Sequence, residues 1–137
     1  MKKSWREILD APDEFWEMSS EEKARICNGV GPAHWPKKAR ELLDSPWLGW
    51  GMSFRPSADI HDVGYEKGKT AADKIREDKR FRDNNRALVR HFTSRWRFVL
   101  YRRRMLVANG LYLAVKYGGD DAFWASKEGR PDDGEET

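Results

Sequence analysis

The residues with the most chemical content are an adjacent imidazole and carboxylate, His61 and Asp62, in the run HDVGY. On a helix, consecutive side chains project about 100° apart around the axis while residues four apart share a face. Tyr65 therefore stands beside His61, and Asp62 points elsewhere. The imidazole can serve as general base on a water molecule, the carboxylate can reach a cation, and the phenol can hydrogen-bond behind the imidazole. A lone His-Asp pair is more often a surface or satisfied core pair, so its surroundings decide its weight.

Two further groups give it such surroundings. The loop CNGVG, residues 27 to 31, holds Gly29 and Gly31, and glycines let successive backbone oxygens turn toward one point, the ligand type that calcium requires. The simpler use of these glycines is to cap the preceding helix. In EDKRF, Asp78 is placed to accept the second ring N–H of a base, fixing its tautomer and stabilising the imidazolium. Otherwise Asp78 is a solvated carboxylate among Arg76, Lys79 and Arg80.

The elements that must position these groups read as helices. Ser4 with Glu7 and Ser19 with Glu22 form capping-box patterns, so short helices begin near both serines, the second running into Cys27. PKKARELLDS, residues 36 to 45, is expected to be helical with Pro46 ending it. The stretch PWLGWGMSFRP follows neither period and reads as an irregular connection; its Trp47, Trp50, Met52 and Phe54 either pack beneath the loop or form a patch that touches substrate or membrane. Pro56 and Ser57 open a helix of about three turns through His61 to Gly68. A helical stretch from Thr70 to Asp78 follows. From Arg80, the spacing of Phe81, Leu88, Phe92, Trp96, Val99 and Leu100 predicts one long amphipathic helix to about Asn109, with a kink at Gly110 and a last helix stopped by Gly118 and Gly119. The expected fold is all-α: one domain over residues 1–126, a catalytic helix packed on the long amphipathic helix and preceded by the glycine loop, with an acidic disordered tail over 127–137.

Composition agrees. At 137 residues and 39% hydrophobic content the chain can bury one core. The net charge of +3 hides segregation, since residues 86 to 104 carry seven Arg and no acid, and residues 127 to 137 carry five acids against two bases. A single cysteine, Cys27, excludes an internal disulfide framework. Acids at Glu7 and Asp10 interrupt the N-terminus, which is thus expected to lack a signal-peptide core. No run approaches the ~20 apolar residues of a membrane span, so membrane contact is expected to be peripheral.

Taken in order, CNGVG, DIHDVGY and EDKRF resemble the phospholipase A2 superfamily, most closely its disulfide-free branch, which includes the lipase domain of parvovirus capsids and related phage or bacterial proteins. LYLAVKYGGDDAF resembles the pattern that follows in those domains, so the likeness runs from Cys27 to Phe123. It implies a calcium-dependent hydrolase of the sn-2 acyl ester of phospholipids, with His61 as general base and Asp62 as side-chain calcium ligand. It further implies that backbone oxygens of Cys27, Gly29 and Gly31 hold calcium (Ca2+), that Tyr65 and Asp78 support His61, and that the Gly29 N–H stabilises the oxyanion. The chain departs from the pattern at Gly64 and Asn28, where cysteines are usual, and in the long segment between Gly31 and His61. Without a signal peptide, such a lipase would need delivery by a particle, a secretion machine or lysis, or would act on internal membranes.

Two other readings stand beside it. A catalytically silent protein of the same fold could be a structural component of a virion or secretion machine. Alternatively, Arg86, Arg90, Arg95, Arg97, Arg102, Arg103 and Arg104 could meet nucleic-acid phosphates. Oligomeric state, head-group preference and chain-length preference are not readable from the residues.

Overall fold

The computed structural model describes residues 4–27, 49–124 and 127. Among these the protein is all-α, with no strand. The expected helix over 36–45 and Trp47 lie outside the described residues, as does the tail apart from Lys127.

Three short helices, α1 (Trp5–Ile8), α2 (Asp13–Glu17) and α3 (Ser20–Ile26), open the chain. α1 and α3 start where side chains satisfy the free N–H groups of a first turn, and α2 follows Pro12. Ser4 and Glu7 form a reciprocal capping box, and the Ser19 hydroxyl accepts from Glu22 N–H at 3.1 Å. This segment is tied to the rest of the molecule by Asn84, whose side-chain amide accepts from Asp10 N–H at 2.8 Å and donates to Asp10 O at 2.9 Å. Leu9 and Phe15 are buried in the main core.

The remaining elements are α4 (Arg55–Lys67), α5 (Ala71–Phe92), α6 (Phe98–Gly118) and α7 (Asp120–Trp124). Pro56 in the first turn starts α4 and Gly68 caps it. The turn between α4 and α5 carries a second capping box, Thr70 with Asp73, which restarts the chain as a helix of 22 residues. α5 and α6 form an antiparallel hairpin, since Arg86 bonds Asn109 and Lys74 bonds Val115. α4 lies antiparallel on α5, with Ser57 donating to Phe81 O at 3.4 Å and Tyr65 reaching Asp78.

Here the structure corrects the sequence reading. The stretch from Thr70 to Asp78 and the one from Arg80 are a single helix. The long helix to Asn109 does not exist, because the chain turns at residues 93–97. The cause is local: the Ser94 hydroxyl accepts from Trp96 N–H at 3.3 Å and Ser94 O accepts from Arg97 N–H at 3.0 Å, closing a turn in place of the helical ladder. Gly110 falls inside α6, which runs unbroken to Gly118. Accordingly Phe81 and Leu88 are core residues, whereas Phe92, Trp96 and Val99, expected on the same apolar face, are exposed.

Arg104 holds the turn together from beneath. This buried guanidinium donates to Gly49 O and Trp50 O, each at 2.8 Å, and to Thr93 Oγ1 at 2.7 Å. It is therefore a structural residue rather than part of a phosphate-binding row, and Arg86 is likewise engaged by Asn109. Met52 and Phe54 are buried in the main core with Ile60, Val63, Phe81, Leu88 and Val115, while Trp50 remains half-exposed.

Candidate active site

His61, Tyr65 and Asp78 meet in the α4–α5 interface. His61 and Tyr65 are one turn apart on α4, with ring centroids 4.0 Å apart, and Asp78 faces them from α5. Asp78 Oδ1 lies 2.9 Å from His61 Nε2 and accepts from the Tyr65 hydroxyl at 2.6 Å. Its other oxygen, Oδ2, accepts from Lys74 Nζ at 2.7 Å. Asp78 is only 3% exposed and His61 6%.

Burial alone would raise the Asp78 carboxyl, but hydrogen bonds from His61, Lys74 and Tyr65 outweigh it and hold the carboxyl below its ordinary value. Ionised, Asp78 can only accept. Nε2–H is therefore the donor in this contact, and in the neutral imidazole the lone pair falls on Nδ1. Burial, the Asp78 charge and the hydrogen bond to it push the Tyr65 phenol far above its ordinary range, so Tyr65 stays a neutral donor.

Lys74 is the member of this network that the sequence reading missed. Its ammonium, besides binding Asp78, donates to Val115 O at 3.1 Å near the C-terminal end of α6, where helix dipoles favour a cation. The spacing from Lys74 to Asp78, one helical turn, was the available signal. It was unreadable as a site because most such pairs are solvated.

Two close approaches keep the network aligned. A Cβ at Gly119 would stand 2.6 Å from the Tyr65 hydroxyl and 2.5 Å from Val115 O, so only bare backbone fits behind that phenol. At Gly64, where the resemblance expects cysteine, a Cβ would collide with the Glu77 carboxylate. Glu77 is buried there and paired with Arg80 at 3.1 Å, so packed charge on α5 lies directly against α4 at this point.

A second group lies on another face of α4. Asp59, Asp62 and Cys27 each offer a ligand atom within 4.8 Å of the others. The structure thus brings Cys27 and Asp62 together and adds Asp59, one turn before Asp62. Gly29 and Gly31 lie outside the described residues. Cys27 Sγ reaches Asp59 O at 3.5 Å, and Asp59 also pairs with Arg55 at 3.0 Å. Burial, with the negative charges of Asp59 and Asp62, pushes the Cys27 thiol up to about 12, leaving the two carboxylates as the charged donors. Hard oxygen donors suit calcium, whose ligand distance of roughly 2.4 Å allows one ion to bridge atoms at this separation. A cluster of this kind does not by itself name a metal.

Beside the acidic cluster opens a cleft of about 590 Å³, whose wall includes Trp5, Leu9, Phe15, Met52 and Phe92 as well as Asp59. It is mostly apolar and runs from the acidic side of α4 toward the α5–α6 turn. No helix among the described residues is long and apolar enough to cross a membrane. No family model, no curated protein and no solved structure matches this chain.

Proposed function

We propose that this protein is a calcium-dependent hydrolase of the phospholipase A2 type, acting peripherally on phospholipid surfaces at the sn-2 acyl ester. The observation that carries the reading is the buried contact of His61 Nε2 with an ionised Asp78 that also holds Tyr65. That arrangement fixes the imidazole and, in its neutral form, puts the lone pair on Nδ1, which is what a base acting on water needs. The apolar cleft beside Asp59 is of a size and character to take an acyl chain.

In this mechanism His61 Nδ1 takes a proton from water as the oxygen attacks the ester carbonyl carbon. Asp78 stabilises the resulting imidazolium through Nε2–H, and Tyr65 keeps Asp78 in place. The imidazolium then returns the proton to the departing alcohol oxygen as the tetrahedral intermediate collapses, so no acyl-enzyme forms. Asp62, together with Asp59 and the backbone oxygens of Cys27, Gly29 and Gly31, would hold calcium, which when bound supplies polarisation of the carbonyl and charge balance for the phosphate. The Gly29 N–H is the proposed oxyanion donor.

Lys74 favours a second reading. With its charge on Asp78, both oxygens of that carboxylate are taken by partners within the protein, as in a structural core, which suits a catalytically silent protein of the same fold. Fatty-acid release from phospholipid vesicles separates the two. The hydrolase requires calcium-dependent release that stops with chelator and with Asp62→Asn, and that falls about 10²–10⁴-fold in His61→Ala. Undiminished release by His61→Ala would remove the proposed base, and no release by the intact protein in calcium would favour the silent reading.

A further inference from the structure

The α5–α6 turn reverses the usual placement of side chains. Trp96 is 86% exposed, Phe98 70% and Val99 69%. Large apolar groups in solvent at one apex, rather than scattered singly, mark a surface that is covered in use. Around them stand Arg90, Arg95, Arg97, Arg102 and Arg103, all exposed, and no acid occurs between Asp83 and Asp120. Trp50 closes one side, with the Arg103 guanidinium 5.5 Å from its ring centre. Trp50, Trp96, Phe98, Val99, Arg97 and Arg103 line a shallow hollow there of about 480 Å³.

We propose that this apex is a docking surface for bilayers carrying anionic lipid. Trp96, Phe98 and Val99 enter the interfacial zone, and the arginines around them bind lipid phosphates. Three features select this occupant. An aromatic apex ringed by cations matches the layered chemistry of a bilayer interface, where aromatic rings settle at headgroup depth and basic residues meet phosphate. A second copy of this chain fits badly, because a two-fold contact would set the arginine rings against each other without an acid to offset them. Duplex nucleic acid would use the arginines but gives no role to Phe98 and Val99, which carry no groups for phosphate or base edges.

The turn is also built to present these residues rather than hide them. Arg104 pins it from below through Gly49, Trp50 and Thr93, so the apex stays fixed without packing its own side chains. Along α5, Asp78 lies 14 residues before Phe92, about 21 Å at 1.5 Å per residue. Docking is therefore spatially separate from the His61 network, and the inference does not depend on the hydrolase reading. The cleft that includes both Phe92 and Asp59 in its wall spans the interval between them.

The test is sedimentation of the full chain with vesicles of phosphatidylglycerol and of phosphatidylcholine, in chelator so that no metal bridges protein to lipid. Binding to phosphatidylglycerol should exceed binding to phosphatidylcholine and weaken with salt. Trp96→Ser with Phe98→Ser should reduce it at least ~10-fold, and Gln at Arg95, Arg97, Arg102 and Arg103 together on the order of 10²-fold. Thermal unfolding checks that both variants remain folded. Equal binding to the two lipids, or wild-type binding by the Ser variant, would overturn the proposal. So would tighter binding to duplex DNA than to phosphatidylglycerol, which would give the surface to nucleic acid. His61→Ala should sediment like the wild type. Vesicle binding in chelator together with no fatty-acid release when calcium is supplied would sink the hydrolase reading and leave this one standing.

Discussion

The α4–α5 interface and the α5–α6 apex are opposites. At the first, an imidazole, a carboxylate, a phenol and an ammonium are buried and satisfy one another; at the second, two aromatic side chains and a valine stand in solvent. Each departs from the ordinary rule that apolar groups go inside and charges outside. They depart at different cost. A buried charge network destabilises the fold whenever one partner is lost, whereas an exposed aromatic contributes nothing to folding and can only be explained by what it meets. Stability measurements should therefore separate the two regions cleanly, and function should separate them the other way.

The largest effect belongs to Asp78→Asn. It leaves the buried Lys74 ammonium with only the exposed Asp120 carboxylate, 3.5 Å away, as its acidic partner, and removing one member of a buried pair typically costs about 3–5 kcal/mol. Chemical denaturation should show that loss. A drop below about 1 kcal/mol would mean that water or Asp120 takes over the Lys74 charge and that the network is not a closed buried unit. The pH dependence has a definite sign. Because the folded Asp78 carboxyl sits below its unfolded value, its contribution is complete above the unfolded value of about 3.9 and disappears as pH falls through the folded one. The acid limb of the wild-type stability curve should therefore flatten in Asp78→Asn. An unchanged limb would assign the acid sensitivity to other carboxylates.

Arg104→Met comes next, with an expected loss of about 2–4 kcal/mol, since the buried carbonyl of Gly49 and the part-buried one of Trp50 would lose their charged donor. This residue combines the two departures, being a charge buried under the exposed apex. Its loss should also raise amide exchange across residues 93–97. Faster exchange confined to the α4–α5 interface would contradict its assignment to the turn.

Gly119→Ala should cost about 1–3 kcal/mol, the usual range for forcing an extra carbon into a packed site. The new Cβ would press on the Tyr65 hydroxyl and so loosen its bond to Asp78. On the hydrolase reading, release of fatty acid falls by more than the stability change explains. Equal activity in a folded Gly119→Ala protein would show that Tyr65 need not be held to serve the base.

The fold was legible where a local signal decides. Ser4 with Glu7, Ser19, Pro56 and Gly68 mark helix ends by satisfying or terminating backbone bonds within a few residues, and the structure has helix ends at each. The turn at residues 93–97 was not legible, because Phe92, Trp96 and Val99 keep helical spacing through it. Periodicity reports a face but not whether that face is covered. The candidate site followed the same division. His61 with Tyr65 could be read from spacing on one helix, and Asp78 was named only as a candidate partner. Lys74 and Asp59 were missed, each lying one helical turn from a residue already singled out. Their participation depends on how α4, α5 and α6 pack, and intrahelical spacing carries no information about that.

The smallest expected effect tests the comparison most sharply. Trp96→Ser with Phe98→Ser removes two large aromatic groups yet should leave stability within about 0.5 kcal/mol, since exposed positions away from caps and pairs contribute little to folding. In most proteins deleting two aromatic side chains is ruinous, costing about 3–5 kcal/mol for each that is buried. Near-neutrality would establish that the apex is surplus to folding and retained for contact. If unfolding instead shifts by several kcal/mol, these rings are packed in solution, and the apex belongs to the core rather than to a docking surface. Solubility should rise in the same variant, because the exposed apolar patch is gone. A variant equally stable but no more soluble would mean that the arginine ring alone already prevents self-association.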